Sequence, residues 1–144
     1  MYAKILLCSD GSEHALKAAD HAVAMVKAFG GALTVVHVFQ PPVIPFAGEG
    51  GMGLDPSLYE PPAKEVQDAV AKPVHEKLNS AGVPFADERR IGHPVEEIAA
   101  LIEEGSFDLV VLGSRGLSGL KAFFLGSVSD RVAHQAHCSV LIVK

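Results

Sequence analysis

The sequence predicts an α/β fold in which five strands form one open, doubly wound parallel sheet with helices on both faces. Three observations predict it. Strand-like and helix-like patterns alternate along the whole chain, the order that a helix-covered parallel sheet requires. Several strand segments are continuous apolar runs, among them Ile5-Leu-Leu-Cys8, Leu109-Val-Val-Leu112 and Val140-Leu-Ile-Val143, as expected of strands buried on both faces. Gly30-Gly31 and Gly82 stand where helical periodicity stops and the next strand begins.

Taken in order, residues 3–9 read as a buried strand. Residues 12–29 read as a helix with Leu16, Ala19, Val23 and Val26 on one face. Residues 32–39 form a Val-rich second strand. Residues 62–81 form a second helix, with Val66, Val70, Val74 and Leu78 every fourth residue; Pro73 predicts a kink there, or two short helices. Residues 84–91 alternate enough for a strand at a sheet edge. A third helix starts after Pro94, with Val95, Ile98, Ala99 and Ile102 on its face. A strand at 107–112, a helix at 127–136 and a strand at 139–143 follow. The segment 40–62 breaks the pattern with two Pro-Pro pairs and four glycines, and is long for a connection, as a lid or a mobile insertion would be. Its Gly48-x-Gly50-x-x-Gly53 is not a dinucleotide fingerprint, because it opens no helix and Pro56 and Pro61-Pro62 follow.

Composition excludes several classes. With 144 residues the chain has the length of a single domain, 1–144, which buries roughly 70% of its unfolded surface. A formal charge of −5 gives no footprint for nucleic acid or an anionic membrane surface. No apolar run reaches the ~20 residues of a membrane span, and Asp10 and Glu13 close off the apolar Ile5–Cys8 stretch too early for a secretory signal. Cys8 and Cys138 show no metal-type spacing and read as reduced, buried thiols, placing the protein in the cytoplasm.

The chemistry concentrates near the C-terminus. The apolar strand at 109–112 runs into Gly113-Ser114-Arg115-Gly116; nine residues later come Gly126-Ser127 and a helix with Val128, Val132 and Ala136 on one face. Glycine lets backbone approach a ligand with no Cβ in the way. A helix N-terminus offers unpaired N–H groups and a partial positive charge to an anion, and Arg115 and Lys121 add cations. Strand, glycine turn, loop, glycine-serine and helix together read as a phosphate site.

The spacing Gly-x2-Gly-x9-Gly-Ser resembles the nucleotide-binding signature of the universal stress proteins, of the kind that bind ATP. The resemblance covers the whole chain: Lys4 to Ser12 is similar to the family's opening strand and acidic turn, Val35-Val-His-Val38 to its second strand, and Cys138 to Lys144 to its last. Where the family often has proline before that last strand, this chain has Ser139. The resemblance implies a Rossmann-like sheet of order 3-2-1-4-5. In such a sheet ligands sit beyond the strand ends where the winding reverses, here between the first and fourth strands, which end at Asp10 and Gly113. It further implies ATP as ligand, bound by Ser9, Asp10, Val38 (through its backbone, to adenine), Gly113, Ser114, Arg115, Gly116, Gly126, Ser127, Val128 and Ser129. Mg²⁺ or Mn²⁺ would bridge the phosphates, since hard cations favour oxygen ligands. It implies at most slow hydrolysis or self-phosphorylation, with Ser127 and Ser129 the nearest hydroxyls, and a homodimer through the C-terminal strand, 140–144. The role it implies is that of a nucleotide-dependent regulator of the stress response.

Other readings compete. Asp10 or Ser12 caps the first helix in the plainest account, worth ~1 kcal/mol; the carboxylate can also serve a ribose or a cation. His134, His137 and Cys138 suggest a zinc fragment but lack a fourth ligand nearby, so they read as helix-end or solvent-facing groups, as do His14 and His21. P-loop, Gly-x-Ser-x-Gly and His-Glu-x-x-His motifs are absent, so a binding module outranks an enzyme. An empty dimeric scaffold and a small phosphoryl- or acyl-transfer enzyme remain as alternatives, because fold does not fix function.

Overall fold

A computed structural model describes residues 1–41, 46–48, 51–53, 60–116 and 125–144. Within them run β1 (Lys4–Ser9), α1 (Glu13–Phe29), β2 (Ala32–Phe39), β3 (Phe46–Gly48), β4 (Gly51–Gly53), α2 (Lys64–Ser80), β5 (Phe85–Ile91), α3 (Pro94–Gly105), β6 (Leu109–Gly113), α4 (Ser127–Gln135) and β7 (Ser139–Val143). The five longer strands pair in parallel in the order β5-β2-β1-β6-β7. Counted along the chain that is 3-2-1-4-5, as the resemblance implied. β3 and β4 form a separate antiparallel pair, so the irregular segment contains a short hairpin that its composition did not announce. Gly50, part of the rejected glycine motif, and Lys121 lie outside the described residues.

Alternation along each strand splits the core into two layers. Ile5, Leu7, Leu33, Val35, Leu109 and Val111 bury one face of the sheet together with α1 and α2. Leu6, Cys8, Val36, Val110 and Leu112 bury the other with α3 and α4. The inner face of α1 is an alanine stripe, Ala15, Ala18, Ala19 and Ala22. The expected Leu16, Val23 and Val26 pack only partly buried beside it. Alanine wins the centre because its small side chain lets helix and sheet backbones come close. Ser12 caps α1, its Oγ accepting from the Ala15 N–H at 3.2 Å, and Gly30 ends it in the left-handed region at φ 71°.

Pro73 does not divide α2, which runs unbroken through it. Proline removes one intrahelical bond, but Ala71, Val74 and Leu78 are buried on both sides of it, and packing holds the two halves in one element. Val66, expected on the apolar face, is 52% exposed. Both cysteines are free. Burial pushes the Cys8 thiol up to about 12 and raises that of Cys138, which is only half-buried.

At the far edge, Val140, Leu141 and Ile142 of β7 are half-buried and only Val143 is fully covered. The expected burial on both faces is incomplete because no helix reaches fully over the edge strand. The Ser139 N–H donates to the Asp108 carbonyl at 3.3 Å, a bond that proline at this position could not make. Val143 accepts from Ser114 at 2.7 Å, so alternate residues 139, 141 and 143 face β6. Val140 and Ile142 therefore turn their N–H and C=O groups outward.

Candidate functional site

β1 and β6 are adjacent, Ile5 beside Leu109 through Leu7 beside Val111, and both strands end at the same rim. Beyond β1 the chain turns at Gly11, φ 79°, where only glycine is at ease. The turn is held from within: the Ser9 Oγ accepts from the Gly11 N–H at 3.2 Å, and Asp10 Oδ1 accepts from the Ser12 N–H at 2.9 Å. Asp10 thus spends one oxygen on the turn. The other, Oδ2, lies 2.5 Å from where a Cβ on Gly116 would stand. Ser12 caps the helix while Asp10 holds the turn and lies beside Gly116.

The two halves of the glycine motif are pinned to each other. The Gly126 N–H donates to the Ser114 carbonyl at 2.6 Å, and the Ser129 hydroxyl lies 3.1 Å from the same oxygen. The Ser114 N–H is bound to Val143. Gly126 is the N-cap of α4 and brings no capping side chain, so the first-turn N–H groups, beginning at Ser127 and Val128, face outward without an intrahelical acceptor. None of Gly113, Gly116 and Gly126 has a positive φ; what they supply is room. At Gly113 the room is needed by α1, since a Cβ would meet the His14 Cβ at 2.8 Å. That glycine makes room for α1 as well as bordering the crevice.

These segments enclose a cavity of about 350 Å³, within the size range of small-ligand pockets. Asp10, Gly113, Arg115 and Gly116 line one part of it, and Gly126, Ser127, Val128 and Ser129 another. Ser9 and Val38 also line it, whereas buried Ser114 does not. Sequence reading missed the apolar wall, to which Val36 of β2 and Pro94 and Ile98 of α3 contribute, and Gln40 just beyond β2. The signal was available: Val36, Val38 and Gln40 share one parity, which aims them at the crevice face. The ionisable side chains among the described lining are Asp10, Arg115 and Cys8, whose thiol burial pushes up to about 12.

His134 and His137 are exposed, and the His134 Nδ1 sits 2.8 Å from the Asp130 carbonyl. His21 is exposed. His14 is a helix-end residue, second in α1, and half-buried; its Nδ1 is covered without a partner among the described residues, because α1 presses this residue against Gly113. No helix among the described residues is long and apolar enough to cross a membrane.

The whole chain, residues 1–144, matches the model of the universal stress protein family. It is 37% identical over 144 residues to universal stress protein MJ0531 of Methanocaldococcus jannaschii, covering 100% of this chain and 83% of that protein. A universal stress protein of Thermus aquaticus is 37% identical over 145 residues, with 100% of both chains covered. Among solved structures, a universal stress protein in complex with cAMP superimposes with a TM-score of 0.72 at 25% identity, covering 99% of this chain and 97% of that one. Sequence and sheet order lead to the same place, and this chain belongs to the universal stress protein family.

Proposed function

We propose that this protein binds ATP in the crevice between β1 and β6, with Mg²⁺ or Mn²⁺ on the phosphates, and acts as a nucleotide-dependent regulator in the stress response. One observation carries the reading: the uncapped N-terminus of α4, Gly116 and the Asp10 carboxylate beside it line one cavity of ligand size. Free N–H groups and Arg115 suit phosphate oxygens. The apolar wall of Val36, Val38, Pro94 and Ile98 suits a flat base, with the backbone of Val38 reading the adenine edge. A relative solved with cAMP points to the same ligand class.

The free oxygen of Asp10 is the hard donor that fits a divalent cation, and the cation would neutralise phosphate charge near it. Chemistry beyond binding is slow in this reading. Ser129 is buried and its hydroxyl is engaged with backbone carbonyls at 2.9 and 3.1 Å, which leaves Ser127 as the exposed hydroxyl for any phosphoryl transfer. Denaturing the purified protein and identifying the released small molecules by absorbance and mass tests the reading. An adenine nucleotide is expected; a guanine nucleotide in its place contradicts it.

The same reading makes the protein a cytoplasmic homodimer. The outward N–H and C=O groups of Val140 and Ile142 form a bare strand edge with half-buried apolar side chains, and no proline or glycine blunts it. A second copy related by a two-fold axis pairs with it antiparallel.

A further inference from the structure

On the sheet face away from the crevice, three elements converge on one point. His37 of β2, His75 of α2 and Asp87 of β5 bring one ligand atom each within 4.8 Å of one another. The His75 Nε2 is 3.0 Å from Asp87 Oδ1, and the His37 Nε2 is 3.8 Å from the same oxygen. An ordinary hydrogen bond accounts for His75 and Asp87. It leaves out His37, which is 1% exposed with neither ring nitrogen hydrogen-bonded among the described residues. Buried polar atoms are nearly always satisfied; the Ser9 backbone is close enough to weigh on this ring, but its Nε2 stands 3.8 Å from Asp87 Oδ1, too far for a hydrogen bond.

We infer that His37, His75 and Asp87 bind a divalent transition-metal ion of the zinc type, at a site separate from the nucleotide crevice. Two imidazoles and one carboxylate suit zinc, cobalt or nickel and not magnesium or calcium. Tetrahedral bonds of about 2.0–2.2 Å place ligand atoms roughly 3.3–3.5 Å apart, so the observed spacings close with shifts of a few tenths of an ångström to about one ångström. The outer shell is also in place. Arg89 Nε holds Asp87 Oδ2 at 3.0 Å, which leaves Oδ1 for the ion, and the Arg89 charge is met by Asp68 at 2.6 Å. His75 and Asp87 side chains are 22% and 28% exposed, giving the ion a way in and a fourth position open to water.

The test is a calorimetric titration of chelator-treated full-length protein with Zn²⁺ alone, without nucleotide. Uptake of one ion per chain is expected, with binding weakened about a hundredfold or more in His75→Gln and in Asp87→Asn. No saturable uptake by the wild type, or a variant that binds as the wild type does, overturns the site. Circular dichroism checks that each variant folds. Should one misfold, Co²⁺ added to the wild-type chain decides: the strong visible absorption of a four-coordinate ion supports the site, and the weak spectrum of the hydrated ion overturns it.

Discussion

Gly116→Val and Gly126→Val each lose nucleotide binding while the domain stays folded. At Gly116 the new Cβ would stand 2.5 Å from Asp10 Oδ2. The carboxylate must then swing aside, taking with it the oxygen that faces the crevice. At Gly126 the new Cβ meets the Ser114 carbonyl at 3.1 Å and Ser129 Oγ at 3.4 Å, and valine's two methyls crowd the start of α4. Neither residue has a φ that excludes a side chain, and Gly116 is exposed, so the cost falls on the site. The expected loss in ATP affinity is about a hundredfold, or ~2.7 kcal/mol, measured by calorimetry. Gly113→Val behaves in the opposite way. Its Cβ meets the Cβ and backbone of His14 at 2.8–3.0 Å, overpacking α1 on β6 at a cost of ~1–3 kcal/mol in stability. Wild-type affinity in both Gly116→Val and Gly126→Val would make the motif purely structural.

Ile142→Pro is expected to convert the proposed dimer to a monomer. Residue 142 points its N–H away from β6, so proline there removes a donor from the outer edge and leaves the bonds to β6 intact. The tolerance of edge strands for proline keeps the monomer folded. Sedimentation is expected to show half the mass of the wild type. A variant that stays dimeric with unchanged affinity places the interface elsewhere.

Much of this molecule was legible because its signals are local. Continuous apolar runs announced the buried strands, and glycine spacing announced the loop and helix that meet at the crevice. What escaped depended on packing between distant segments. Alanine carries little weight in a hydrophobic pattern, so of the stripe that seats α1 only Ala19 was read, beside Leu16 and Val23. Proline's intrinsic penalty at position 73 was read correctly and then outweighed by the burial of Ala71 and Val74. Gly113 was read as ligand space, and only the fold could show that it also makes room for His14 while lining the cavity. The apolar wall from α3 was missed because Pro94 and Ile98 reach the crevice through tertiary packing. The same holds for His37, His75 and Asp87, which lie on three elements and share no spacing along the chain.

Calorimetry with ATP and with GTP, each in the presence of Mg²⁺, tests the central claim most directly. In the proposed site the phosphate groups bind through backbone N–H groups that cannot tell the two apart, so discrimination would come from the base against Val38 and its neighbours. The account predicts saturable binding of one ATP per chain, with GTP weaker by about tenfold or more, ~1.4 kcal/mol. No heat with ATP at about 1 mM would contradict nucleotide binding, and equal affinity for GTP would contradict the adenine role of the β2 end.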